Sequence, residues 1–345
     1  MTLRLHKTGI EFPDGSWQMT AGNGLPYRNL IINGDMRIAQ RGTSVTGITG
    51  TGYYTVDRWN TVLTTAGTWT QTQDTDVPTG QGFSSSLKLS CTTADASLSA
   101  GGQLNIQQRI EAQNLQHLKY GTSNAESLTM SFWVKSNKTG TYTFWIYQDD
   151  DVRAISKTYT IDSANTWEKK TITIEGDTIG VIDNNNGAGF WVGFYLSAGS
   201  NFTSGILNTS WNTNVPAERV SSSQTNLEDT IGNYINITGV QLEVGDTATP
   251  FEHQPYDVEL ARCQRYCEVY KWGSASPDGV SLLANVYTAS SKPKTQGISY
   301  KVIKRANPTI SISGAGRYIA TTGTHNATGF TTTKITTATP DFAIA

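Results

Sequence analysis

The 345-residue chain predicts an all-β protein built on an antiparallel sandwich, and three observations carry that prediction. Residues 190–197 alternate strictly: Phe190, Val192, Phe194 and Leu196 fall on one side, and Trp191, Gly193, Tyr195 and Ser197 on the other. That period of two is the signature of a strand with two distinct faces. Comparable stretches recur along the chain, separated by Gly, Asn, Asp and Ser clusters, at the spacing of an antiparallel sandwich. Only 16% of residues are charged, against about 25% in average soluble proteins. Hydroxyl and amide groups therefore carry the polar surface, as in extracellular or particle-bound β proteins.

The elements follow in order. In residues 9–18 two short alternating runs flank Pro13-Asp14-Gly15, which reads as a hairpin. An isolated hairpin is marginal in water, so this one is expected to lean on another chain or on the next domain. Residues 21–26 read as a hinge. Strands are expected at 29–32, 57–63, 68–72, 86–91, 103–110, 128–135, 141–148, 155–160, 168–174, 190–197 and 234–243. A short helical segment at 111–118 places Ile110, Leu115 and Leu118 on one side. The Ser- and Asn-rich stretch 198–230 carries scattered apolar residues and is read as an ordered surface loop. Residues 255–267 have helical spacing, with Pro255 in the first turn where it is tolerated. The remainder returns to β patterning, with strands expected at 280–287, 297–303, 309–312 and 318–320. The resulting division is 1–28, 29–254, 255–267 and 268–345, the last a C-terminal β domain.

Composition excludes several classes of function. A net charge of −2 gives no electrostatic footprint for nucleic acid or for an anionic membrane surface. No apolar run approaches the ~18 residues of a spanning helix, and the N-terminal residues lack a signal peptide, so synthesis in a cytoplasm is expected. Cys91, Cys263 and Cys267 do not make a disulfide framework and are read as small buried residues. The four histidines are scattered, and none sits in a hydrolase or zinc-protease motif.

The outward phase of three strands carries rings. Trp133, Trp145, Tyr147, Trp191 and Tyr195 are expected to share one surface, set among polar residues that could bind sugar hydroxyls. Two readings stand for this face: a saccharide platform, or a surface covered by the 198–230 loop or by a neighbouring subunit. Asp149-Asp150-Asp151 closes the second aromatic strand. A glycan hydrolase would need two such carboxylates converging on the sugar, whereas acidic runs are most often solvated turns.

Three pieces together resemble a family. Residues 29–43 (NLIINGDMRIAQRGT) with 54–59 (YTVDRW) are similar to the opening of a module common in bacteriophage tail fibres and related virion proteins. Residues 239–245 (GVQLEVG), 250–256 (PFEHQPY) and 259–266 (ELARCQRY) resemble its closing signature, and Phe12, Pro13, Asp14, Gly15 and Trp17 resemble fibre attachment segments. The resemblance covers about residues 9–312. It implies a carbohydrate-binding-module-like jelly roll, a homotrimer joined to other virion proteins through its N-terminus, and contact with a bacterial surface glycan. On that reading the chain is a non-enzymatic tail fibre protein made in the host cytoplasm and carried on the virion. A capsid-decorating head fibre and an envelope-glycan depolymerase are the alternatives. Val258, Ala261 and Arg265 become candidates for a trimer axis. Since jelly-roll carbohydrate modules often hold a structural calcium, Asp149, Asp151 and the 183–186 turn become candidate ligands for one.

Overall fold

The computed structural model describes residues 4–6, 9–11, 17–18, 27–269 and 300–309. Near the N-terminus β1 (Arg4–His6), β2 (Gly9–Glu11) and β3 (Trp17–Gln18) form a small antiparallel sheet in the order β1-β2-β3. Ile10 pairs with Gln18 and Glu11 with Trp17, the hairpin pairing expected from the sequence. Phe12 to Gly15 lie outside the described residues.

The body is a sandwich of two six-stranded antiparallel sheets. Its strands are β4 (Ser44–Ile48), β5 (Asn60–Thr64), β6 (Thr68–Asp74), β7 (Ser86–Thr93), β8 (Gln103–Glu111), β9 (Leu128–Ser136) and β10 (Gly140–Gln148). They continue with β11 (Arg153–Ile161), β12 (Glu168–Ile174), β13 (Ala188–Ala198), β14 (Asn212–Thr213) and β15 (Tyr234–Val244). The front sheet runs β14-β11-β10-β13-β8-β5 and the back sheet β12-β9-β15-β7-β6-β4. A 3-10 helix at Ala112–Leu118 follows β8 and buries Ala112, Leu115 and Leu118.

The inward phases of the two sheets meet as the alternation requires. Phe190, Val192, Phe194 and Leu196 of β13 have no exposed surface, nor do Leu128, Met130, Phe132 and Val134 of β9. Phe194 is the hub, with ring centroids 4.8 Å from Phe132, 5.3 Å from Phe144 and 6.5 Å from Trp59.

Residues 29–32 are not a strand. Leu30 N–H reaches Leu242 O, and the N–H groups of Ile31 and Ile32 are claimed by side chains instead of a ladder. Asn29 Oδ1 accepts the N–H of Ile31 and that of Leu242, and Asn29 Nδ2 donates to Val240 O. Gln108 brackets Ile32, accepting its N–H and donating to its carbonyl, each at 2.8 Å. The strand expected at 57–63 begins only at Asn60, because Arg58 has φ +75° and Asp57 N–H turns aside to Ile38 O. Three short strands, β1, β4 and β14, were not expected.

The two sequence signatures fold into one clasp where the body begins and ends. Glu252 accepts the N–H groups of Tyr27 and Asn29, while its own N–H donates to Gln241 Oε1. Asn33 donates to Ile38 O and Asp57 O, its carbonyl accepts Trp59 Nε1, and its N–H donates to the Glu259 carboxylate. Gly34 packs so closely that an added Cβ would stand 2.1 Å from Val240 O.

Helix α2 (Tyr256–Gln264) docks here, burying Glu259, Cys263 and Gln264. Arg265, a candidate for a trimer axis, is committed within the chain: its Nε and Nη2 each donate at 2.7 Å to Glu111. Val258 and Ala261 are half-buried. Cys91 and Cys263 are buried as expected, but Cys267 is only half-buried, since it lies beyond the end of the helix.

Of the strands expected beyond α2, residues 300–303 form bends rather than a strand. Segments 280–287, 310–312 and 318–320, and all of 313–345, lie outside the described residues. No helix among the described residues is long and apolar enough to cross a membrane.

Candidate functional site

The outward face of the front sheet is set by register. On β10 and β13, Tyr147 lies opposite Trp191, Trp145 opposite Gly193, and Thr143 opposite Tyr195. On β13 and β8, Trp191 lies opposite Arg109, Gly193 opposite Gln107, and Tyr195 opposite Asn105. Gly193 matters for what it lacks: a Cβ there would stand 3.2 Å from Gln107 Cβ and 3.7 Å from Trp145 Cε3. The glycine thus relieves the crowding against β8, where Gln107 Cβ and Ile106 O stand closest, while the Trp145 indole would be at ordinary contact distance.

The rings form a connected set. Trp145 and Tyr147 stack at 5.7 Å with 2° between planes, Tyr147 meets Trp191 edge-on at 5.6 Å and 90°, and Trp145 meets Tyr195 at 6.0 Å and 70°. Trp133 is not among them. It belongs to β9 in the back sheet, opposite Lys169 and Thr238, so its outward phase points away from the other four. Alternation assigns a residue to one side of its strand, but does not say which sheet the strand joins.

The 198–230 segment covers part of this face. Its helix α1 (Ser200–Thr203) brings Phe202 to 6.4 Å from the Tyr195 ring, and Val220 N–H bonds to Phe202 O. Gln224 Nε2 donates to Tyr195 O, and Arg219 lies over the Trp145 ring at 5.6 Å. As a result Trp145 is only 4% exposed and Tyr195 only 2%. Burial raises the Tyr195 hydroxyl above its ordinary value. Tyr147 and Trp191 stay half-buried, and they form the open corner of the face.

Beside that corner the Arg109 guanidinium stacks on Trp191, 3.8 Å from its centroid. Five buried polar atoms on this face lack a hydrogen-bond partner among the described residues: Trp145 Nε1, Trp191 Nε1, Arg109 Nε, Asn105 Oδ1 and Gln224 Oε1. Buried polar groups are normally paired, so a cluster of unpaired ones is what a site for a polar ligand requires. Arg109 and Asn105 were open to discovery from the sequence, because both occupy the outward phase of 103–110. Their adjacency to Trp191 and Tyr195 depends on the β8–β13 pairing, which local pattern does not reveal.

The acidic run at the end of β10 lies in a turn, with Asp151 exposed as a solvated turn requires, and it also holds a neighbouring segment. Asp151 Oδ2 accepts Val181 N–H at 2.9 Å, and Asp150 Oδ2 accepts Asp183 N–H at 3.1 Å. Burial, then repulsion from Asp183, Asp149 and Asp151, raises the Asp150 carboxyl, partly offset by the bond from Asp183 N–H. These bonds fasten the 181–183 backbone. Among the described residues, no three His, Cys, Asp or Glu side chains gather as a metal-binding group. Of the attachment residues, Trp17 is in β3 and Phe12, Pro13, Asp14 and Gly15 lie outside the described residues.

No family model matches the chain, and no curated protein matches it. Similar solved structures include the enzymatically active domain of tailspike protein 4 from bacteriophage CBA120, at 20% identity over 64% of this chain, with a TM-score of 0.34. The chain spans 22% of that tailspike chain. A CBM4 module has 12% identity over 62% of this chain and 98% of its own, with a TM-score of 0.31. The module TmCBM61, solved with β-1,4-galactotriose, has 10% identity over 63% of this chain and 99% of its own, with a TM-score of 0.33.

Proposed function

We propose that the chain is a non-enzymatic fibre protein of a bacteriophage virion, and that the open corner of its front sheet contacts a glycan on the bacterial surface. The observation that carries this reading is the edge-on pair of Tyr147 and Trp191, left half-buried while the chain's own loop seals Trp145 and Tyr195. Rings presented beside unpartnered donors and acceptors suit a sugar, whose C–H faces stack on rings and whose hydroxyls both donate and accept. The virion assignment is supported by the resemblance of the two sequence signatures to phage fibre modules. Within the chain these signatures make the clasp, a structural role that leaves the ring face free to take a ligand. A catalytic role draws no support from Asp151, whose carboxylate caps the Val181 N–H.

The test is adsorption of particles carrying Trp191→Ala. The indole sits on the surface of the sheet, so the variant is expected to fold and assemble while adsorbing to host cells roughly two- to tenfold more weakly, taking the loss as that of one ring stack. Normal adsorption with failed assembly would instead make the corner a subunit contact. Light scattering on the intact chain tests the trimer, which a monomer would rule out.

A further inference from the structure

We infer that the saccharide taken by this face is acidic, a polymer bearing carboxylated sugars, and that Arg109 receives the carboxylate. The inference rests on the glycan reading above and adds the ligand's charge. At the open corner the unpartnered atoms, Arg109 Nε and Trp191 Nε1, are both donors, while the unpartnered acceptors, Asn105 Oδ1 and Gln224 Oε1, lie beside Tyr195 in the half that the 198–230 segment closes. A buried donor without an acceptor is destabilising, and a carboxylate offers several acceptor positions in one plane.

Charge points the same way. Among the described residues Arg109 makes no ion pair, whereas Arg28, Arg37, Arg41, Arg153, Arg262 and Arg265 each have one. Its neighbour Arg58, which is buried, donates to Arg109 O and stacks on Tyr266 at 3.4 Å. The carboxylate nearest in sequence, Glu111, is bound by Arg265, Tyr266 and Gln113. Across the rings, Arg219 lies over Trp145. Asp149 and Arg219 both act on Tyr147, so on that side of the corner opposite charges offset each other. Arg109 therefore puts positive charge beside Trp191 at the open corner. A planar guanidinium stacked on an indole keeps its edge free for two parallel bonds to a carboxylate.

The experiment measures binding of the full chain to immobilised polygalacturonate, hyaluronan and colominic acid, each beside its carboxyl-reduced form. At least one acidic polymer is expected to bind at least tenfold more tightly than its reduced form. Arg109→Gln should remove that preference without moving the thermal midpoint, and Arg109→Lys should restore it only in part. Trp191→Phe, which keeps a ring and removes the N–H, should weaken acidic binding less than Trp191→Ala. Equal binding of native and reduced polymers would overturn the acidic assignment and leave the glycan reading standing. Binding to none of them would also overturn it; if the purified chain then failed to block phage adsorption to host cells, the glycan reading would fall as well.

Discussion

Replacing Glu111 with Gln removes one charge from the bond that fastens α2 to the front sheet. Glu111 is 2% exposed and accepts from Arg265 Nε and Nη2 at 2.7 Å each, Tyr266 Oη at 2.5 Å and Gln113 Nε2 at 2.6 Å. Burial by itself would raise this carboxyl, but the bonds from Arg265 and Tyr266 outweigh it and hold the group below its ordinary value. Removing one member of a buried pair costs about 3–5 kcal/mol. Because the Arg265 side chain is 29% exposed and can regain water, the lower end applies, about 3 kcal/mol. For a domain of this size that lowers the thermal midpoint by roughly 6–12 °C. Urea unfolding followed by tryptophan fluorescence reads the loss, and in an Arg265→Ala background the same change should cost less than about 1 kcal/mol. The sign with pH is set by the lowered carboxyl: its contribution is complete above the ordinary glutamate range and fades as pH falls through the folded value, so variant and wild type should converge in acid. A cost below about 1 kcal/mol in the wild-type background would refute the coupling. So would a loss confined to faster hydrogen exchange in α2 with an unmoved unfolding midpoint.

Other outcomes follow from the same structure. Gly34→Ala should destabilise by more than about 3 kcal/mol or prevent folding, because the new Cβ meets backbone, Val240 O, which cannot rotate away; denaturant melts of the purified variant check this. Glu228 is fully buried, accepts Gly67 N–H and Ser197 Oγ, and is raised by burial. A raised carboxyl means that wild-type stability declines as pH climbs from the ordinary glutamate range through the folded value. Glu228→Gln, which keeps the shape without the charge, should therefore equal or exceed wild type at pH 8 and lose that advantage near pH 4, as read by melts across that range.

The alternating runs at 128–135, 141–148 and 190–197 determined their own strands and which side faces the core, because period-two alternation is a property of the extended backbone itself. They also determined that Trp145, Tyr147, Trp191 and Tyr195 would face away from that core. Local pattern did not determine the sheet to which each strand belongs, so Trp133 was grouped with rings that lie on the opposite face. The segment at 29–32 looked like a strand because apolar residues favour one. Its partners are Gln108, Val240 and Leu242, far along the chain, and they satisfy the backbone through side chains as well as carbonyls. The ring face was decided last and only in three dimensions. Phe202, Val220 and Gln224 close one half of it, and the β8–β13 register brings Arg109 onto Trp191 in the other. Contacts between residues a hundred positions apart depend on how strands pair, and pairing is settled by the fold as a whole.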